Sequence, residues 1–187
     1  MNKDISPDKQ IVTCDKLTGC LNERGLAEHC SHVLDYANFS YEDTSLLCIQ
    51  IIDFESVFEN IDESIVEQVI VTIAKHLNEL CRVDEKVAYL GEGRFFVVLL
   101  TTNSFRAYIA GTRLQKKIAS LDFQYDSGSI SVKAAIGISA TDSSKERPTY
   151  DELRLQAEQA LQASLDLTGA QVVRYDAEHE KGYDEKV

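Results

Sequence analysis

The chain has 187 residues, long enough for one domain with a sizeable core. A composition of 44% hydrophobic and 27% charged residues excludes a disordered chain, and no apolar run is long enough to span a bilayer. The net charge of −12 argues against a nucleic-acid or anionic-membrane partner, with Lys116-Lys117 read as a solvated helix face.

The N-terminal stretch MNKDISPDKQ is polar, contains Pro7 and shows no export signal. Five cysteines (Cys14, Cys20, Cys30, Cys48 and Cys81), with no CxxC pair, fit a reducing cytoplasm rather than a disulfide framework. Residues 22–37 read as a helix. Within it, His29, Cys30 and His32 have a spacing compatible with a metal, but the simpler reading is a partly exposed helix. Leu46 to Ile52 is a continuous apolar run of strand length, expected at the centre of a sheet and covered on both faces. Ile65, Val69, Ile73, Leu77 and Leu80 recur at helical spacing, with Ser64 and Glu67 expected to form a capping box.

Val87–Leu90 and Phe95–Leu100 read as two strands of a hairpin around Gly91-Glu92-Gly93-Arg94. Phe105, Tyr108, Ile109, Leu114, Ile118 and Leu121 mark another helix. Ile130 to Ile138 alternate as one half-buried strand. Thr149 with Glu152 caps a helix through residue 166, and Val172-Val173 is expected as a short final strand. The C-terminal stretch AEHEKGYDEKV is charged and contains Gly182. A hairpin inside an otherwise alternating series predicts an α+β fold, one sheet with helices on its faces. The expected organisation is a linker or N-terminal helix over 1–13, one domain over 14–175 and a linker over 176–187.

Several landmarks, in order, resemble one family. Asp15-Lys16-Leu17-Thr18-Gly19-Cys20-Leu21-Asn22 is similar to the D-x-L-T-G-L-x-N opening of GGDEF domains, the diguanylate cyclase family. The hairpin Ala88–Phe95 stands where that family places its signature turn. Ala135-Ile136-Gly137-Ile138 and Ala157-Glu158-Gln159-Ala160-Leu161 resemble its late strand and helix, with Gly169 following. The resemblance implies a central five-stranded, mainly antiparallel sheet flanked by helices, as in nucleotide cyclases.

It also implies a chemistry: two GTP molecules joined with the help of two divalent cations, which require carboxylate oxygens. In this sequence the first-strand acid position holds Gln50. The signature turn reads Gly91-Glu92-Gly93-Arg94-Phe95, so Glu92 replaces a glycine while Gly93 and Arg94 replace the acids. Glu55 and Leu165 stand at lysine positions of the family, and Phe58 stands at its guanine-reading asparagine. Glu67 keeps acidic character at a guanine-contacting position. Asp53 is expected to start the next helix. From these departures the chain is expected to be no enzyme, with no cofactor and no metal residue.

The family often carries a product site, R-x-x-D, upstream of the turn. Arg82-Val83-Asp84-Glu85 fills that place, with Glu85 for the aspartate. Arg82, Glu85 and Glu67 are therefore the candidate nucleotide-binding residues, against a simpler reading of Arg82 as a solvated helix-terminal charge. The leading expectation is a regulatory or protein-interaction module in cyclic di-GMP signalling, beside an EAL or sensor domain or a protein partner. The alternatives are a cyclic di-GMP sensor through Arg82-x-x-Glu85 and residual GTP-binding or diguanylate cyclase activity.

Overall fold

The computed structural model describes residues 12–125, 128–143, 146–167 and 171–176. Pro7, Gly169 and nearly all of both expected linkers lie outside them.

In chain order the elements are α1 (Glu23–Ser40), β1 (Ser45–Ile51), α2 (Phe54–Phe58), α3 (Glu63–Leu80), β2 (Lys86–Tyr89) and β3 (Arg94–Leu99). They continue as α4 (Ser104–Ala119), β4 (Asp122–Tyr125), β5 (Gly128–Ser131), β6 (Ala134–Ala140), α5 (Tyr150–Asp166) and β7 (Val172–Arg174). The main sheet has the order β2-β3-β1-β6-β7. All its pairings are antiparallel except β6 with β7, so the sheet is mixed and mainly antiparallel. The expected α+β class and five-stranded sheet are thus present.

Period-two alternation divides the core between the two faces of this sheet. Leu47, Ile49, Phe95, Val97, Ile136 and Ile138 face α3 and α4, together with Ile70, Ile73, Leu114 and Ile118. Leu46, Cys48, Phe96, Val98 and Ala135 face α1 and α5, together with Leu26, Leu34, Leu153 and Leu161. The apolar run of β1 is continuous because both its faces are covered, and β1 is the middle strand.

Three local expectations are corrected. First, residues 130–138 are two strands. β5 pairs with β4 in a separate two-stranded sheet, and β6 joins the main sheet with every residue buried. β6 is therefore covered on both faces rather than half-buried. Second, Ser64 and Glu67 form no capping box. Asp62 is the N-cap of α3, and its carboxylate accepts from both the N–H (2.9 Å) and the hydroxyl (2.6 Å) of Ser64. The Ser64 hydroxyl is spent as a donor two residues inside the helix. Third, Cys30 is buried in the core, where burial pushes its thiol up to about 12, while His32 is exposed. Those three residues do not converge as metal ligands, and the described residues hold no other such cluster. By contrast, Thr149 and Glu152 form the capping box expected for α5.

Candidate functional site

The hairpin turn between β2 and β3 is closed by backbone bonds from Arg94 N–H to the Gly91 carbonyl (2.8 Å) and from Leu90 N–H to the Arg94 carbonyl (3.0 Å). Gly91, Glu92 and Gly93 all lie at positive φ (91°, 49° and 70°). Glycine takes that conformation freely, whereas at Glu92 it costs about 1–2 kcal/mol.

Gln50 and Arg94 are register partners on adjacent strands. Arg94 Nε donates to Gln50 Oε1 at 2.9 Å, and Gln50 Nε2 donates to the Glu92 carbonyl at 2.8 Å. The amide oxygen at the end of β1 is thus taken by a guanidinium rather than left open. A hard divalent cation needs anionic oxygen ligands, and a fixed positive charge opposes it. This pair of positions does not fit such a cation.

The surroundings of the turn are packed. A Cβ on Gly93 would stand 2.5 Å from Phe54 Cδ2 and 3.0 Å from Ile51 Cβ, so an acidic side chain at residue 93 requires Phe54 to move. Phe54 packs against the buried Phe58 with ring centroids 4.9 Å apart and the rings tilted by 56°. Asp53 is the N-cap residue of α2 in the left-handed conformation and makes no side-chain cap bond. Glu55 and Leu165 are both exposed. Glu67, with no capping role, lines a shallow depression with Leu17, Ser64 and Val71 on the outside of α3.

The second candidate site is a cleft of about 370 Å³ between the end of α3, the residues after β3, and α4. Here Arg82–Glu85 forms a tight turn. Glu85 N–H donates to the Arg82 carbonyl (3.1 Å), and Arg82 N–H donates to Glu85 Oε2 (2.7 Å). The Glu85 carboxylate is largely buried, while the Arg82 side chain is 66% exposed with its Nε 3.9 Å from Glu85 Oε1. Glu85 therefore fixes the turn, and Arg82 lines the cleft as an exposed side chain.

Two arginines that the sequence reading missed complete the cleft. Arg106 and Arg113 line it from α4, and Arg113 Nη2 donates to the Leu80 carbonyl at 2.9 Å, which ties its guanidinium to the end of α3. Their spacing of seven residues, two helical turns on one face, is the signal the sequence carried. Cys81 also lines the cleft. Burial first, and the Glu85 carboxylate second, push its thiol up to about 12, so it is protonated and unreactive near neutral pH. Glu67 is not among the residues of this cleft. The structure brings Arg82 and Glu85 together and leaves Glu67 at a separate place.

The family model described as diguanylate cyclase, GGDEF domain, matches residues 12–168. A search of curated proteins finds no match. Among solved structures, the GGDEF domain of DgcB from Caulobacter crescentus, in complex with c-di-GMP, superposes with a TM-score of 0.81. It is 15% identical, and the match covers 88% of this chain and 94% of that one. The diguanylate cyclase SiaD of Pseudomonas aeruginosa, in complex with its activator SiaC, gives 0.79 at 20% identity. This chain is covered to 86% and spans 61% of the SiaD chain. The active GGEEF domain of a diguanylate cyclase from Vibrio cholerae gives 0.76 at 16% identity, covering 88% of this chain and 98% of that one.

These matches correct the expectation that the chain is no enzyme. The model that fits it is that of diguanylate cyclases, and its fold neighbours include an active domain. The substitutions at the turn do not by themselves take a chain out of an enzyme family. Among the described residues no helix is long and apolar enough to cross a membrane.

Proposed function

The chain belongs to the GGDEF domain family of cyclic di-GMP signalling, and from that premise we propose that it is a regulatory module that takes cyclic di-GMP in the arginine cleft. The observation that carries this reading is the presence of Arg82, Arg106 and Arg113 along one cleft whose lining also includes Glu85. Cyclic di-GMP presents two phosphodiester charges and two guanine edges. A planar guanidinium matches either a phosphate or the acceptor pair of guanine O6 and N7 in bidentate fashion. The chain carries a net charge of −12, so three guanidinium groups gathered on one cleft are a local exception to its overall field.

The self-paired turn supports the regulatory half of the proposal. Arg94 Nε donates to the Gln50 amide oxygen, Gln50 Nε2 donates to the Glu92 carbonyl, and Phe54 packs beside Gly93. The bound state of the domain, residues 14–175, would then be read by a joined EAL or sensor domain or by a protein partner.

Calorimetric titration of the purified chain with cyclic di-GMP, wild type beside Arg82→Ala, tests the reading. Saturable micromolar binding in the wild type, weakened at least about tenfold in the variant, is expected, since a charge-assisted hydrogen bond is worth roughly 1.5–3 kcal/mol. Equal binding by both proteins would put the ligand elsewhere, and the absence of heat would remove the proposal.

A further inference from the structure

Helix α4 differs in charge from every other long helix of the molecule. α1 carries Glu23, Glu28 and Asp35 against Arg24; α3 carries Glu63, Glu67 and Glu79 against Lys75; α5 carries Asp151, Glu152, Glu158 and Asp166 against Arg154. α4 carries Arg106, Arg113, Lys116 and Lys117 and no acid. Its inner face, Ala107, Gly111, Leu114 and Ile118, is buried against the sheet.

Its outer face is apolar and open. Phe105 is 62% exposed and Ile109 is 55% exposed, with Tyr108 beside them. These residues and Thr112 follow one another at intervals of three and four, so they form a single stripe. A groove runs along Tyr108, Ile109, Thr112, Arg113 and Lys116. From Phe105 to Lys116 the stripe spans three helical turns, roughly 16 Å at 1.5 Å per residue. Arg174 lies over the Tyr108 ring, 5.8 Å from its centroid, and adds a further cation at the edge. Of the carboxylates near this helix, Asp142 is engaged at its N-terminus with the N–H and hydroxyl of Ser104, Glu85 lies in the cleft with Arg106 and Arg113, and Asp176 borders Tyr108 beside Arg174.

We propose that the outer face of α4 is a docking surface for an acidic amphipathic helix of a partner protein. The apolar stripe accepts anchors at i, i+3, i+4 and i+7, the pattern by which a helix lies in a groove. The cation row, against a chain that is acidic elsewhere, selects a partner flanked by Asp and Glu and turns away a basic one. The surface shares Ile109 and Arg113 with the arginine cleft, whereas Phe105, Tyr108, Thr112 and Lys116 lie outside it, so variants at Phe105 and Lys116 test it apart from the nucleotide reading.

Fluorescence anisotropy with two labelled designed peptides decides the matter. Both are 20-residue amphipathic helices with the same leucine stripe, one flanked by glutamates and one by lysines. The glutamate peptide is expected to bind the full chain, and Phe105→Ser and Lys116→Glu are each expected to weaken it at least tenfold with unchanged melting temperature. The lysine peptide is expected not to bind the wild type. Equal binding of both peptides, no binding of the glutamate peptide, or wild-type affinity in both variants would overturn the proposal.

Discussion

Gly93 lies where a side chain has no room. Its φ of 70° suits glycine, and any Cβ meets Phe54 and Ile51. Gly93→Ala is therefore expected to lower unfolding stability by about 1–3 kcal/mol in denaturant titration, through overpacking and backbone strain together. A variant as stable as wild type would show that Phe54 turns aside freely. At the same scale, two helix caps set an acid-side pH dependence. Hydrogen bonds from the Ser64 side chain and backbone hold Asp62 below its ordinary value, and those from the Thr149 backbone and side chain do the same for Glu152. A carboxylate depressed in the folded state contributes stability that is fully present above its unfolded pKa and is lost as pH falls through the folded one. Stability is thus expected to be level down to the ordinary carboxylate range and to decline below it. Glu152→Gln should flatten part of that decline in melts recorded across acidic pH.

Single groups also decide how helices are tied to the sheet. Arg154 joins α5 to α1 through Glu23, reaches Glu158 at 3.0 Å, and lies 5.5 Å from the centroid of Phe96. Because its side chain is 26% exposed, these contacts are partly shielded from water. Arg154→Met keeps the stem and removes the charge, and is expected to cost about 1–3 kcal/mol by chemical unfolding. At Gly137 the backbone of α5 packs directly on β6. A Cβ there would stand 2.1 Å from Leu161 N and 2.2 Å from the Ala157 carbonyl oxygen. Since both are backbone atoms, Gly137→Ala must displace the helix, and a loss of about 3 kcal/mol or more is expected. The sequence announced α5 well, because its Thr149–Glu152 box is a local signal between neighbouring residues. It announced α3 with the wrong cap, because Asp62 competes for the same serine and stands closer to the helix start. The β4–β5 pair was not legible. Phe123 and Tyr125 are too few to mark a strand, and Ile130 keeps phase with β6 across Val132 and Lys133.

Across the whole molecule, the central sheet was readable because its strands are long, apolar and covered on both sides. Half of the cleft was readable for the same reason of locality. Arg82 and Glu85 lie three residues apart, and their turn forms wherever the chain goes. Arg106 and Arg113 could not be assigned to it from sequence, because only the packing of α4 beside the end of α3 brings them there. The function proposed rests on that tertiary convergence. Its ligand binding should weaken as salt rises, since the arginines contact anionic groups near solvent. The most direct test of the central claim is calorimetric titration of cyclic di-GMP into Arg106→Ala beside the wild type. Arg106→Ala is expected to fold as the wild type does and to bind at least tenfold more weakly. Undiminished affinity in that variant would contradict it, because the ligand would then owe nothing to the face that α4 presents to the cleft.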